Sequence, residues 1–151
     1  MRSIDEGEEI TICYMDPGQP RDARRARLRT KFGFECECSL CSLTGEALNA
    51  SNERQLRIGE IDVITARGDD DSRPHPQMVP LVTEKLRLLK AEGLPEAWGH
   101  MDMVCAFARC CVDGDRAAAH SWMHRAIKAA RILLGDDAQV IKDLQQIVHH
   151  H

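Results

Sequence analysis

Phe32-Gly-Phe34-Glu-Cys36-Glu-Cys38-Ser-Leu-Cys41 is the stretch on which the reading of this chain turns. Three cysteines so close together can bring their thiolates onto one soft-to-borderline cation, and structural zinc takes its ligands in a tetrahedron. Cys36, Cys38 and Cys41 therefore read as metal ligands. Cys105, Cys110 and Cys111 read as small apolar side chains on helix faces, where free cysteine is common. The total of seven cysteines is odd, and the N-terminus Met1-Arg-Ser-Ile-Asp-Glu has none of the features of a secretory signal. A disulfide framework is not expected, and a reducing compartment, nucleus or cytoplasm, is. No fourth ligand stands beside the triplet. Cys13 and His75 are the candidates within the chain, and neither is favoured.

Working outward, Ile10-Thr-Ile12-Cys-Tyr14 alternates β-favouring residues between Gly7 and Asp16-Pro17-Gly18, which predicts a short strand ending in a turn. Pro20 to Lys31 predicts a helix, with Ala23, Ala26 and Leu28 set among Arg21, Arg24, Arg25, Arg27, Arg29 and Lys31; Gly33 breaks it. This basic run has two readings, a patch for nucleic acid or nuclear import, and the more ordinary solvated face of a helix whose Ala and Leu side points inward.

Past residue 44 nearly everything reads as helix. One is expected over 52–66, with Asn52 as its cap, Gln55 three positions on and Gly59 inside it; Gly68 to Pro76 is a polar linker. Met78, Val82, Leu86 and Leu89 mark the next helix, which stops at Gly93. Glu96 to Val112 follows, with a stripe of Ala97, Met101, Val104, Ala108 and Cys111. After the Asp113-Gly114-Asp115 turn comes a helix to Leu134 with Ala119, Met123, Ala126, Ala130 and Leu133 on one face, then a short one over 138–148. The spacing Ala119-x3-Met123-x2-Ala126 has the small-large-small rhythm of a tetratricopeptide-type hairpin.

Of the 151 residues, 43% are hydrophobic but only 4% aromatic, so the core must be aliphatic and rich in Ala and Met. A net charge of −4 argues against a dedicated nucleic-acid binder, and no run approaches the roughly eighteen apolar residues that span a bilayer. His149, His150 and His151 have two readings, native residues or a tag remnant, and are set aside from the site arguments.

Gly7-Glu-Glu-Ile-Thr-Ile-Cys-Tyr14, an Arg-rich helix, then Phe32-Gly-Phe34-x-Cys36-x-Cys38-x2-Cys41 resembles the end of a SET domain and its post-SET segment, as in the SET and MYND family of protein-lysine methyltransferases and similar fungal SET proteins. The resemblance covers roughly residues 2–43 and, more weakly, the helical remainder. It implies a mainly α fold: a short β remnant of a SET domain with a zinc-type cysteine cluster over 1–43, then a tetratricopeptide-like bundle over 44–148. By resemblance Tyr14 is the catalytic tyrosine where the methyl group of S-adenosylmethionine meets the target lysine, and Phe34 packs by the adenine. Phe32 stands where relatives often carry a channel tyrosine, so a hydroxyl is missing there. The implied cofactors are zinc and S-adenosylmethionine, and the implied substrate is a histone or another lysine-bearing protein. The family's cofactor pocket also needs an Asn-His stretch, yet Asn49 and Asn52 precede Ala50 and Glu53. The chain accordingly reads as the C-terminal part of such an enzyme or a degenerate paralogue, inactive in isolation. The alternative is a helical protein-interaction module with a non-catalytic, zinc-clipped appendage.

Overall fold

The computed structural model describes residues 5–7, 14, 18–66 and 74–150, the last two by backbone alone. By packing, the described residues form two compact units that divide between Asp62 and Val63. The boundary falls inside a helix, later than the compositional break near residue 44. Six α-helices are described: α1 Arg21–Phe32, α2 Gly45–Ala66, α3 Met78–Ala91, α4 His100–Asp113, α5 Arg116–Leu134 and α6 Gln139–His150. None is long and apolar enough to cross a membrane. No strand occurs among the described residues; the strand expected over Ile10–Tyr14 lies outside them except for Tyr14, as does most of the Gly68–Pro76 linker.

In the first unit, α1 matches its expected span, with Pro20 preceding it and Leu28 buried. Its Ala face is not the inner one. Ala23 and Ala26 are exposed, and the other buried side chain is Arg24. α2 begins seven residues before the expected start, because Glu46, Ala47 and Leu48 are good helix formers and the Leu48 amide bonds Thr44 O at 3.3 Å. Asn52 is thus mid-helix and caps nothing of its own. Ser51, Gln55, Ile58 and Ile61 form the buried face of α2.

The second unit is a helical layer built around the α4–α5 hairpin, with α3 against α4, α6 against α5, and a 3-10 turn, Glu96–Gly99, touching α3, α4 and α5. Met78, Val82, Leu86 and Leu89 of α3 are buried as expected. The single helix predicted from Glu96 is instead the 3-10 turn followed by α4, and the buried stripe rotates. Met103, Ala106, Phe107 and Cys110 face inward, whereas Met101 is 54% exposed and Cys111 is exposed. A 3-10 turn advances three residues per turn instead of 3.6, which shifts the phase of all that follows. Close packing accompanies it, since a Cβ at Gly99 would lie 2.5 Å from Leu86 Cδ2.

Asp115 caps α5 by accepting the Ala118 amide at 3.0 Å, and Ala119, Met123, Ala126 and Ala130 are buried as predicted; Leu133 is exposed. Lys85 of α3 donates to Asp102 of α4 at 2.7 Å, a largely buried ion pair between the two helices.

The rotated stripe is directly testable by denaturant unfolding. Met103→Ala should cost about 2–5 kcal/mol, the usual range for truncating a buried Met. Met101→Ala should change stability by no more than about 0.5 kcal/mol, as for an ordinary surface substitution.

Candidate functional site

α1 organises everything around the cysteines. Gly33 ends it at φ 73°, its amide bonding Arg29 O at 3.0 Å, a left-handed conformation that glycine takes without Cβ strain. The chain then turns and runs back along the helix that it has just left. Glu35 pairs with Arg29 and, at 3.1 Å, with Arg25; Leu40 O accepts from Arg24 Nη2 at 3.4 Å; Leu43 O accepts from Arg21 Nη1 at 2.7 Å. The partners ascend along the loop as they descend along the helix. Arg24 also donates to Gln19 O and is only 4% exposed. The arginine run is therefore in large part a set of clamps on the returning backbone. Asn52 of α2 completes the frame, its Oδ1 accepting the Arg21 amide at 3.0 Å at the open N-terminus of α1.

Inside this frame the amides of Cys41 and Ser42 both bond Cys38 O at 2.9 Å, and Ser42 Oγ donates to Glu37 O at 2.9 Å. The ligand atoms of Cys36, Cys38 and Cys41 all lie within 4.8 Å of one another. Sulfurs around a tetrahedral zinc stand about 3.8 Å apart given Zn–S bonds of about 2.3 Å, so small side-chain rotations close the set on an ion. Cys38 is exposed and Cys41 buried. Burial pushes the Cys41 thiol up to about 11, with the Cys38 and Cys36 thiols adding to the rise. Burial also raises Cys38, but hydrogen bonds from the Cys41 backbone, the Cys36 and Cys41 thiols and the Leu40 backbone outweigh it and hold the thiol below its usual range. Among the described residues no fourth donor joins the three. Cys13 lies outside those residues, and His75 belongs to the other unit, where its Nδ1 accepts the Gln77 amide at 3.1 Å.

The three aromatic candidates meet. The Tyr14 ring stands edge-on to Phe32 at 5.3 Å between centroids and to Phe34 at 5.1 Å. Tyr14 is 50% and Phe32 41% exposed, while Phe34 is half-buried. Lys31 Nζ lies 5.3 Å from the Phe32 ring centroid. Sequence reasoning found these residues but missed Arg21, Arg24, Glu35 and Asn52 as their framework. The signal in the sequence is the Arg-rich run itself, whose two readings, a nucleic-acid or import patch and a solvated helix face, both leave out this role.

No protein-family model matches the chain. Among curated proteins it is similar to the histone-lysine N-methyltransferase set5 of Schizosaccharomyces pombe, 24% identical over a 161-residue alignment covering 99% of this chain and 47% of that protein. It is also similar to the histone-lysine N-methyltransferase SMYD3 of Homo sapiens, 46% identical over 41 residues, 27% of this chain and 10% of that one. The histone-lysine N-methyltransferase ATXR4 of Arabidopsis thaliana is 43% identical over 44 residues, 29% of this chain and 14% of that one. The relatives are SET- and SMYD-type histone-lysine methyltransferases, and the chain spans about half the length of the one that it matches nearly throughout.

Two outcomes follow from the frame. Asn52→Ala should cost about 1 kcal/mol of stability in urea unfolding, the typical price of a lost N-cap. Hydrogen bonds from Arg29 and Arg25 hold the Glu35 carboxyl below its usual range. Its contribution to stability is therefore present above the ordinary carboxylate pKa and is lost as pH falls through the depressed value. A carboxyl titration by NMR should show the low pKa in the native chain and its return towards normal in Arg29→Gln.

Proposed function

We propose that this chain is the C-terminal part of a SET-type protein-lysine N-methyltransferase acting on a histone or another lysine-bearing protein in the nucleus or cytoplasm. The observation that carries the reading is the meeting of Tyr14, Phe32 and Phe34 on a cluster that continues along the chain into the three-cysteine loop. Similarity to histone-lysine methyltransferases supports it. In this reading S-adenosylmethionine, when bound, supplies an electrophilic methyl group. The exposed Tyr14 ring suits a cationic centre, because an aromatic ring presents negative charge on its face; Lys31 already stands over Phe32. Tyr14 is the catalytic residue: its hydroxyl accepts from or donates to the groups around the lysine amine and holds the nitrogen in line for attack. Phe34 packs against the cofactor's flat base. Phe32 lines the lysine channel with an apolar edge, which leaves more room and one hydrogen bond fewer than a tyrosine there. Cys36, Cys38 and Cys41 hold a structural zinc that fixes the loop following Phe34.

A second reading has a separate basis in the helical unit. A groove of about 430 Å³ beside the 3-10 turn and α5, lined by Pro95, Glu96, Ala97, Arg125, Lys128, Ala129 and Ile132, would make that unit a tetratricopeptide-like module for a protein partner. The chain would then carry its SET-like segment as an appendage.

Replacing the aligned half of Schizosaccharomyces pombe set5 with this chain separates the readings. The enzyme reading expects methyl transfer from radiolabelled cofactor to histones, lowered about 100-fold by Tyr14→Phe, the scale of removing one hydrogen-bonding group from a reacting centre. A folded chimera without transfer counts against it. The 151-residue chain alone should transfer no more label than its own Tyr14→Phe variant.

The metal gives a further outcome. A site with three thiolates from this segment should carry substoichiometric zinc as purified, lose it to a mild chelator, and bind none after Cys38→Ser.

A further inference from the structure

Arg24 is the unusual residue of the first unit. A guanidinium stays charged at every accessible pH, and burying a charge without an opposite one is costly. Arg24 is nonetheless 4% exposed, and its partners among the described residues are two neutral carbonyls, Gln19 O and Leu40 O. Its neighbours on α1 solve the problem differently: Arg25 and Arg29 reach Glu35 near the surface, and Arg21 pairs with Asp22. Leu40 is the residue before Cys41, so the buried guanidinium bonds the peptide that carries the most buried of the three thiols. A divalent cation held by three thiolates is left with a net negative charge, whether water or a further anionic group completes it.

We infer that Arg24 is the positioning and counter-charge residue of the Cys36–Cys38–Cys41 centre, holding the Leu40–Cys41 peptide in place while supplying the positive charge that an anionic metal–thiolate group requires. The inference rests on the metal reading of the three cysteines and extends it to a residue outside the ligand set. It accounts for a buried arginine whose partners among the described residues are carbonyls alone. Outer partners of this kind change metal affinity by about 10- to 100-fold when removed.

The test is titration of the full reduced chain with Co²⁺, followed by competition with Zn²⁺. The thiolate-to-cobalt charge-transfer band reports sulfur ligation, and helical circular dichroism is recorded on the same samples. Arg24→Gln keeps a hydrogen-bonding group and removes the charge; Arg24→Lys keeps the charge and loses the fork. Arg27→Gln, a change at an exposed position of the same helix, is the control. The expected result is wild-type affinity for Arg27→Gln, a loss of about 10- to 100-fold for Arg24→Gln, and a smaller loss for Arg24→Lys, with the band altered in shape only at position 24. Arg24→Gln binding within twofold of wild type overturns the inference while leaving the metal reading intact. Absence of the band in the wild-type chain overturns the metal reading and the inference with it. Should Arg24→Gln lose its helix signal, Arg24→Lys decides: affinity retained in part supports the counter-charge, and binding equal to wild type overturns the positioning role.

Discussion

The first unit depends on hydrogen bonds between arginines of one short helix and the backbone that folds back along it. α1 buries a single aliphatic side chain, Leu28, which is too little apolar area to fix a twelve-residue helix against a loop. Among the described residues the loop has no sheet or helix of its own to satisfy its carbonyls, and buried backbone polar groups must be satisfied. Arg21 and Arg24 meet both needs at once, because each spans from the helix to a carbonyl on the returning strand of chain. The consequence is geometric. With Leu40 and Leu43 held and Gly33 setting the turn, the three cysteines have little choice but to converge.

The helical unit is held by a different chemistry. Its core is mostly aliphatic and thioether, with Met78, Met103 and Met123 almost wholly buried beside the two aromatic residues Phe107 and Trp122, and α5 presents Ala119, Ala126, Ala129 and Ala130 inward. Small residues at a helix interface allow close approach, and flexible Met side chains fill the irregular space that remains. The Lys85–Asp102 pair adds register between α3 and α4 and creates a polar spot in that interface. Burial raises the nearby Cys105 thiol, and the Asp102 carboxylate raises it further, which keeps it protonated and inert beside them. Cys105 and Cys110 thus behave as small apolar residues, unlike the clustered cysteines, while Cys111 is exposed.

The two signals for function sit next to one another for a covalent reason. Phe34 and Cys36 are two residues apart, so whatever fixes the cysteine loop also fixes the ring that contacts Tyr14. A metal at the cysteines would stiffen the aromatic cluster without touching it. Similarity to methyltransferases extends over nearly the whole chain at low identity with one relative and over about a quarter of it at higher identity with others.

What the sequence determined by itself is local. Period-3.6 stripes announced α3 and α5; Pro20 and Gly33 bounded α1; and the cysteine spacing announced the cluster of Cys36, Cys38 and Cys41, because thiols so near in the chain need little tertiary information to meet. The phase of α4 was not legible, since a single 3-10 turn fitted against Leu86 rotates every later residue, and nothing in Glu96–Val112 encodes that contact. Nor was the role of Asn52, which sits where a helix start is plausible but serves the amide of Arg21, far away in sequence. The burial of Arg24 within the basic run was illegible for the same reason, while Arg27, Arg29 and Lys31 are exposed as a solvated face would have them. An arginine on a helix is solvated by default, and only the return of the loop supplies the carbonyls that make burying Arg24 tolerable.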